Sequence, residues 1–193
     1  MTSSRPYHHG NLRQAVLDEA ATVIRDKGAA DLSLREVAAT IGVTHAAPRR
    51  YFPGRQDLLD AVAVEGFARL GTRLQEAVDV SPDYRTQVRS IATAYLDFMI
   101  SEANLAELMF AHKQTAGEGA VGASAATAFA PMLLMFRRGQ ADGMLSNLDP
   151  ERMGLVFLAT LQGLAGLVNC GVVSIGQLDD LIEDAVIQFA AVL

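Results

Sequence analysis

Cysteine occurs once in this chain of 193 residues, at Cys170, and tryptophan not at all. A single cysteine excludes an intramolecular disulfide and any cysteine zinc cluster, so the composition fits a reducing compartment and a cytoplasmic location is the expectation. Cys170 lies in an apolar stretch, where an inert thiol is the ordinary case. Histidine is nearly as scarce: the four, at 8, 9, 45 and 112, show no metal-ligand spacing beyond one adjacent pair. Neither a phosphate loop nor a dinucleotide-binding fingerprint is read in the chain. These shortages leave little for an enzyme, and no metal or cofactor is expected. The opening MTSSRPYHHGNLRQ is polar and lacks the charged-then-apolar order of a secretory signal.

Charge is missing altogether between Arg152 and Asp179. GLVFLATLQGLAGLVNCGVV is long enough to span a bilayer, but Gln162, Asn169, Ser174 and several glycines interrupt the region, and acids rather than basic anchors flank its far end. A helix buried in an interface is expected instead, with no membrane partner.

The charge that is present is unevenly placed. The formal net charge is -6, yet residues 1–60 hold eight Lys and Arg against seven Asp and Glu, while the rest of the chain holds eight against fifteen. In GVTHAAPRRYFPGRQDLL, residues 42–59, three arginines (Arg49, Arg50 and Arg55) stand in a run with no acid between His45 and Gln56. This is a basic island on an acidic chain.

Periodicity is helical nearly throughout, and no strand-length alternation bounded by turns is found. Leu12, Ala15, Val16, Ala20 and Val23 predict a first helix, with Asn11 as its cap and an end near Gly28. Ser33 and Glu36 have the spacing of a capping box for a short helix LREVAATI that stops at Gly42. Thr44 can cap a third helix through HAAPRRYF, although Pro48 falls where its missing N–H deletes the first intrahelical bond and tightens or frays the opening turn. A long helix from about Gln56 to Val78 turns Leu59, Val62, Phe67, Leu70 and Leu74 inward, and SPD ends it. Val88, Ile91, Ala92, Tyr95, Leu96 and Met99 predict another helix, and LAELMF after Asn104 a short one. GEGAVGASAATAFA reads as a mobile loop in its first half and a helix entry in its second. Two helices close the chain, one capped by Asp149 with Pro150 at its first position and ending near Gly171, the other burying Leu178, Leu181, Ile182, Ala185, Val186, Phe189, Ala190 and Leu193. The fold class is all-α, divided into residues 1–53 and residues 54–193.

The two short helices carry a helix-turn-helix spacing: Ala38 at the helix contact, Gly42 for a left-handed turn, and Val43 buried in the turn. An ordinary helical hairpin shares that spacing. The basic island on the second of these helices adds the electrostatic footprint of a phosphate backbone. Thr44 can cap or offer its hydroxyl to a phosphate, and His45 lies beside it. Ala46 and Ala47 let a helix sit deep in the major groove. Arg49 and Arg50 can hold phosphates or pair with guanine, and Tyr51 can reach a phosphate. Phe52 packs in the small core. Arg55 opens a helix whose amino-terminal dipole favours an anion, which makes a phosphate its expected partner. Arg5, Tyr7, His8, His9 and Arg13 can form an arm along the DNA backbone.

Through LREVAATIGVTHAAPRRYFPGRQDLLDAV the chain resembles the TetR family of transcriptional regulators, strongly over residues 7–60 and more loosely beyond. YHHGNLR, LMF and LQGLAGL are similar to the subgroup whose second domain is named for a tryptophan, histidine and glycine pattern. The chain departs from the pattern at Arg49, where tyrosine is usual, at Tyr51 and Arg55, and at Leu158 and Gln162, where the tryptophan and histidine are expected. The resemblance implies an amino-terminal three-helix DNA-binding domain followed by a helical ligand-binding and dimerisation domain. Its implied function is a homodimeric repressor that reads a palindromic double-stranded operator and leaves it when a small, largely apolar effector binds. A dimeric regulator without a ligand, or an activator, stays open.

A groove-reading helix contacts few base pairs, so two half-sites read by a dimer are expected. Gly163 and Gly166 permit close approach, and with Leu178, Leu181, Ile182, Val186 and Phe189 they make the candidate dimer interface. Phe98, Met99, Met109, Phe110, Phe129, Met132, Phe136 and Phe157 suit an adaptable apolar pocket and equally suit plain core. The resemblance implies an effector pocket here, with His112, Gln114 and Gln162 as its polar candidates.

Overall fold

The computed structural model describes residues 12–116, 119–145 and 149–190, the side chains of residues 112–116 excepted. Its α-helices are α1 (Leu12–Lys27), α2 (Leu34–Thr40), α3 (Arg55–Asp79), α4 (Tyr84–Ser101), α5 (Ala103–Ala116), α6 (Ala120–Ala141), α7 (Pro150–Asn169) and α8 (Leu178–Ala190). Short 3-10 turns lie at Ala29–Asp31, Pro48–Arg50 and Ile175–Gln177, and no strand occurs among the described residues. The fold is all-α. Asn11 and the arm residues Arg5, Tyr7, His8 and His9 lie outside the described residues, as does Leu193.

The chain forms two compact units, Met1–Gly66 with Asn104–Val121, and Phe67–Ala103 with Gly122–Leu193. The division falls inside α3 rather than before it, and it places α5 with the amino-terminal unit.

In the first unit, α1 buries Leu12, Val16, Leu17, Ala20 and Ile24, so its seam runs through Leu17 and Ile24 where the sequence favours Ala15 and Val23. Both sides of this helix carry apolar residues, and turning the larger side chains inward removes more apolar surface from water. The α1 helix ends as Gly28 donates to the Ile24 carbonyl at 2.8 Å, and the Asn104 side chain caps it further through the Arg25 carbonyl at 3.0 Å. Ser33 precedes α2 in an extended conformation but makes no side-chain cap, so the capping box expected with Glu36 does not form. At an exposed helix start, water serves the free amides instead.

The second unit is built around α4, which buries Val88, Ile91, Ala92, Tyr95, Leu96, Phe98 and Met99. Asp83 caps it, accepting from the Thr86 hydroxyl at 2.6 Å and the Thr86 amide at 2.8 Å, and these bonds hold its carboxyl below the ordinary value. The second half of α3 contributes Phe67, Leu70 and Leu74, all without exposed surface. Phe136, Phe157 and Phe189 stack edge to face, with ring centroids 5.4 and 4.9 Å apart. Glu102, buried at the end of α4, pairs with Arg69, and both Arg69 and Arg73 lie over the Phe98 ring.

Helix α6 starts at Ala120, inside the stretch read from sequence as a loop. Alanine is the best helix former, and Val121, Ala125 and Ala128 are buried along one side. The Gly-x-Gly-x-x-Gly spacing does occur in the sequence, at Gly117, Gly119 and Gly122, but Gly122 lies inside α6, and among the described residues no strand precedes it as a dinucleotide site needs. Asp149 caps α7 as expected, accepting from the Glu151 amide at 2.9 Å, and Pro150 takes the first helical position.

Candidate nucleic-acid interface

Helix α2 ends in a Schellman motif. Val43 donates to the Ala38 carbonyl at 3.0 Å and Gly42 to the Ala39 carbonyl at 3.2 Å, while Gly42 adopts φ 74. Only glycine takes that left-handed conformation without steric cost, and it satisfies the last carbonyls of the helix. Val37 and Ala38 are buried beneath the turn. Val43 is half-buried, not fully buried as the spacing implies.

The segment that follows departs from the expected third helix. Thr44 lies outside any regular element, residues 45–46 form a turn, and the helical part is the 3-10 turn Pro48–Arg50. A continuous α-helix gives the Thr44 carbonyl to the amide of residue 48, and proline has none. Ala47 donates to Thr44 instead, at 2.9 Å. The shorter spacing then propagates: Arg50 donates to Ala47 at 3.3 Å and Tyr51 to Pro48 at 3.0 Å, before Phe52 closes on Pro48 at 2.9 Å. Proline thus selects the tighter winding.

Pro48 and Phe52 are buried and anchor this turn. Between and before them, Thr44, His45, Ala46, Arg49, Arg50 and Tyr51 are exposed, and Ala47 is half-buried. Apart from the half-buried Ala47, the contact residues expected from sequence, Thr44 to Ala46 and Arg49 to Tyr51, therefore face solvent on either side of the buried Pro48. Arg13 belongs to α1, not to a loose arm, and its guanidinium sits over the Phe52 ring at 5.5 Å.

Arg55 is engaged otherwise than expected. Its Nε donates to the Leu32 carbonyl at 3.0 Å, and its Nη2 to the carbonyls of Ala29 and Ala30. It ties the start of α3 to the loop between α1 and α2. The anion expected at that helix start is supplied internally, because Asp57 accepts from the Gly54 amide at 2.8 Å.

The residues proposed from sequence for a ligand are spread over both units. Met109 and Phe110 lie on α5 in the first unit. The His112 and Gln114 side chains lie outside the described residues. In the second unit, Phe136 and Phe157 are inside the aromatic stack, Phe98 receives two arginines, and Met99 and Met132 are plain core. Gln162 is half-buried on α7. Phe129 stands between Phe67 and Tyr95, with ring centroids 6.2 and 6.4 Å away. Tyr95, which the sequence placed only in a core stripe, is fully buried, and burial raises its phenol pKa.

The proposed interface residues also separate. Leu178, Ile182, Val186 and Phe189 are buried within the subunit, and Leu181 is half-buried. One apolar stripe on α8 cannot serve both its own core and a partner. Exposed apolar side chains in this part of the chain are instead Leu155, Val156 and Leu167 on α7, Val172 and Ile175 after it, and Ile187 on the outer side of α8, together with Leu134 on α6. Gly163 and Gly166 are exposed, with open space where a Cβ would stand. The uncharged run from 153 to 178, apolar on both sides of the helix, was the available pointer to this second face.

A family model described as bacterial regulatory proteins of the tetR family matches residues 16–62. A protein of unknown function from Rhodococcus sp. RHA1 has 34% identity and a TM-score of 0.88, over 96% of this chain and 97% of that one. The TetR family transcriptional regulator PfmR from Thermus thermophilus is similar in fold, with 16% identity and a TM-score of 0.70 over 91% and 96% of the two chains. So is the TetR-like transcriptional regulator LfrR from Mycobacterium smegmatis, solved in complex with proflavine, with 21% identity and a TM-score of 0.68 over 94% and 97%. No curated protein matches the chain.

Proposed function

The chain belongs to the TetR family of bacterial regulatory proteins, DNA-binding regulators and not enzymes, and from that premise we propose that it is a homodimeric repressor released from a palindromic operator by a small, largely apolar molecule. The observation that carries the reading is the set of solvent-facing residues within 44–51, anchored by the buried Pro48 and Phe52 and including Arg49 and Arg50. In this reading Thr44, His45, Ala46, Ala47, Arg49, Arg50 and Tyr51 meet the DNA, and the two arginines divide between phosphates and guanine edges. Arg55 shapes the platform through the α1–α2 loop.

The dimer reading rests on α7 and its neighbours. Helices α6 and α7 are long and apolar enough to cross a membrane, and α7 has few buried positions. We read its outer face as the seat of a second copy, because Gly163 and Gly166 allow close helix approach between Leu155, Val156 and Leu167. Effector binding in the second unit then favours a dimer geometry whose reading turns no longer match successive grooves, and a difference of about 1–3 kcal/mol between states changes DNA affinity 5- to 150-fold. The LfrR structure supports the sensing part by fold alone. We place the protein in the cytoplasm, with DNA, its own second copy and a small effector as partners.

The test is selection of fragments from the source genome by purified protein, with an Arg49→Ala/Arg50→Ala variant alongside. A palindromic motif enriched by the wild type alone is expected. Equal enrichment by both proteins would remove the arginine-bearing turn from the reading.

A further inference from the structure

Tyr95 has no exposed surface, and among the described residues its hydroxyl has no hydrogen-bond partner. A buried hydroxyl left unmade lowers stability, and phenylalanine at that position would avoid the loss. On one side Tyr95 meets the Phe129 ring, and Phe129 in turn meets Phe67 edge-on at 71°. Phe67 lines a cleft of about 510 Å³ on the second unit, between α3 and α6. Phe129 thus neighbours both the Phe67 ring that lines the cleft and the Tyr95 ring that bears the hydroxyl.

The cleft is a surface groove, with Ala68, Thr72, Gln75 and Thr127 exposed along it. Its volume lies within the usual range for small-molecule sites, its walls include Phe67, Ala128 and Pro131, and Thr72, Gln75 and Thr127 supply polar edges. No basic side chain lines it and Glu76 stands at its margin, which disfavours an anion. At Gly71 a Cβ would come within 2.9 Å of the Ala128 Cα, so the backbones of α3 and α6 are already in contact there and fix the spacing of the cleft's two walls.

The geometry points to one ligand site made of this cleft and the Tyr95 hydroxyl, gated by Phe129, for an uncharged, mainly apolar molecule carrying a single hydrogen-bonding group. The site rests on the reading of the second unit as a sensor and gives that sensor a ligand class. When Phe129 swings aside, the apolar body of the ligand occupies the cleft and its polar group meets the hydroxyl. Tyr95 then sets specificity, because it rewards a ligand with that group over the same skeleton without it.

Naphthalene and 2-naphthol make a matched pair of probes, followed by ligand-observed NMR on the full chain. The wild type is expected to bind 2-naphthol about five- to tenfold more tightly than naphthalene. In Tyr95→Phe the preference falls to within about twofold, naphthalene binding stays, and Tm of the free protein rises, because a polar group without a partner has gone. Phe129→Ala speeds association of both probes. A lower Tm for Tyr95→Phe, a preference that survives it, or no binding of either probe to the wild type overturns the site. The sensor reading fails separately: 2-naphthol that binds through Tyr95 yet leaves affinity for the selected DNA unchanged keeps the site and removes its regulatory role. DNA release by other molecules, with neither probe bound, does the reverse.

Discussion

Residues 44–52 of the first unit and helix α7 of the second both hold large side chains out in solvent, for opposite reasons. The turn exposes Arg49, Arg50 and Tyr51, whose polar groups are well hydrated when free, over the buried Pro48 and Phe52. Helix α7 exposes Leu155, Val156 and Leu167, where water is a poor solvent, while burying Phe157, Leu161 and Ala165 on its other side. The first surface is well hydrated as it stands. The second is favourable only when something apolar covers it. On the proposed dimer reading the two requirements meet in one assembly, in which a covered α7 face pairs two reading turns.

The largest expected effect breaks the second surface. Leu155→Asp/Val156→Asp should give a folded monomer by sedimentation, and with one half-site left to read, operator affinity should fall about 10³-fold or more. The opposite side of the same helix should respond differently: Phe157→Ala opens the aromatic stack and should cost about 3–5 kcal/mol in urea unfolding. Replacing one arginine of the reading turn, Arg49→Ala or Arg50→Ala, should weaken operator binding about 5- to 150-fold by anisotropy with Tm unchanged, the larger loss marking the residue that reads a base. Pro48→Ala should restore the amide that lets the turn wind as an α-helix. Its expected result is a changed base preference in fragment selection, with stability altered by about 1 kcal/mol or less. The smallest effect concerns Asp83, whose folded-state pKa lies below the ordinary value. Its contribution is present above the unfolded value and is lost as pH falls through the folded one, so the stability gap between wild type and Asp83→Ala should close in acid.

Where a residue acts through its own backbone, the sequence was easily read. Gly42 fixes the end of α2, Asp149 and Pro150 fix the start of α7, and the stripe from Val88 to Met99 fixes the buried side of α4, because each works within one turn or one helical period. The family likeness was legible for the same reason, being concentrated in those short elements. The winding of residues 44–52 was half legible: the missing amide of Pro48 was plain, but hydrophobic periodicity runs straight through it and hides the change from α to 3-10. In α1 and α7 both faces are apolar, so periodicity alone does not choose which side turns inward, and the interface was assigned to the α8 stripe that the core already uses. Tyr95 is the subtlest case. A stripe counts it as apolar, and only the packing around it reveals an idle hydroxyl.

The central claim is that two copies of the exposed turn read one operator. Hydroxyl-radical footprinting on the selected fragment tests it most directly. The account predicts two equivalent protected half-sites separated by about 10 bp or a multiple of it, both lost with Arg49→Ala/Arg50→Ala and replaced by no defined protection with Leu155→Asp/Val156→Asp. A single protected patch that survives either variant would contradict it.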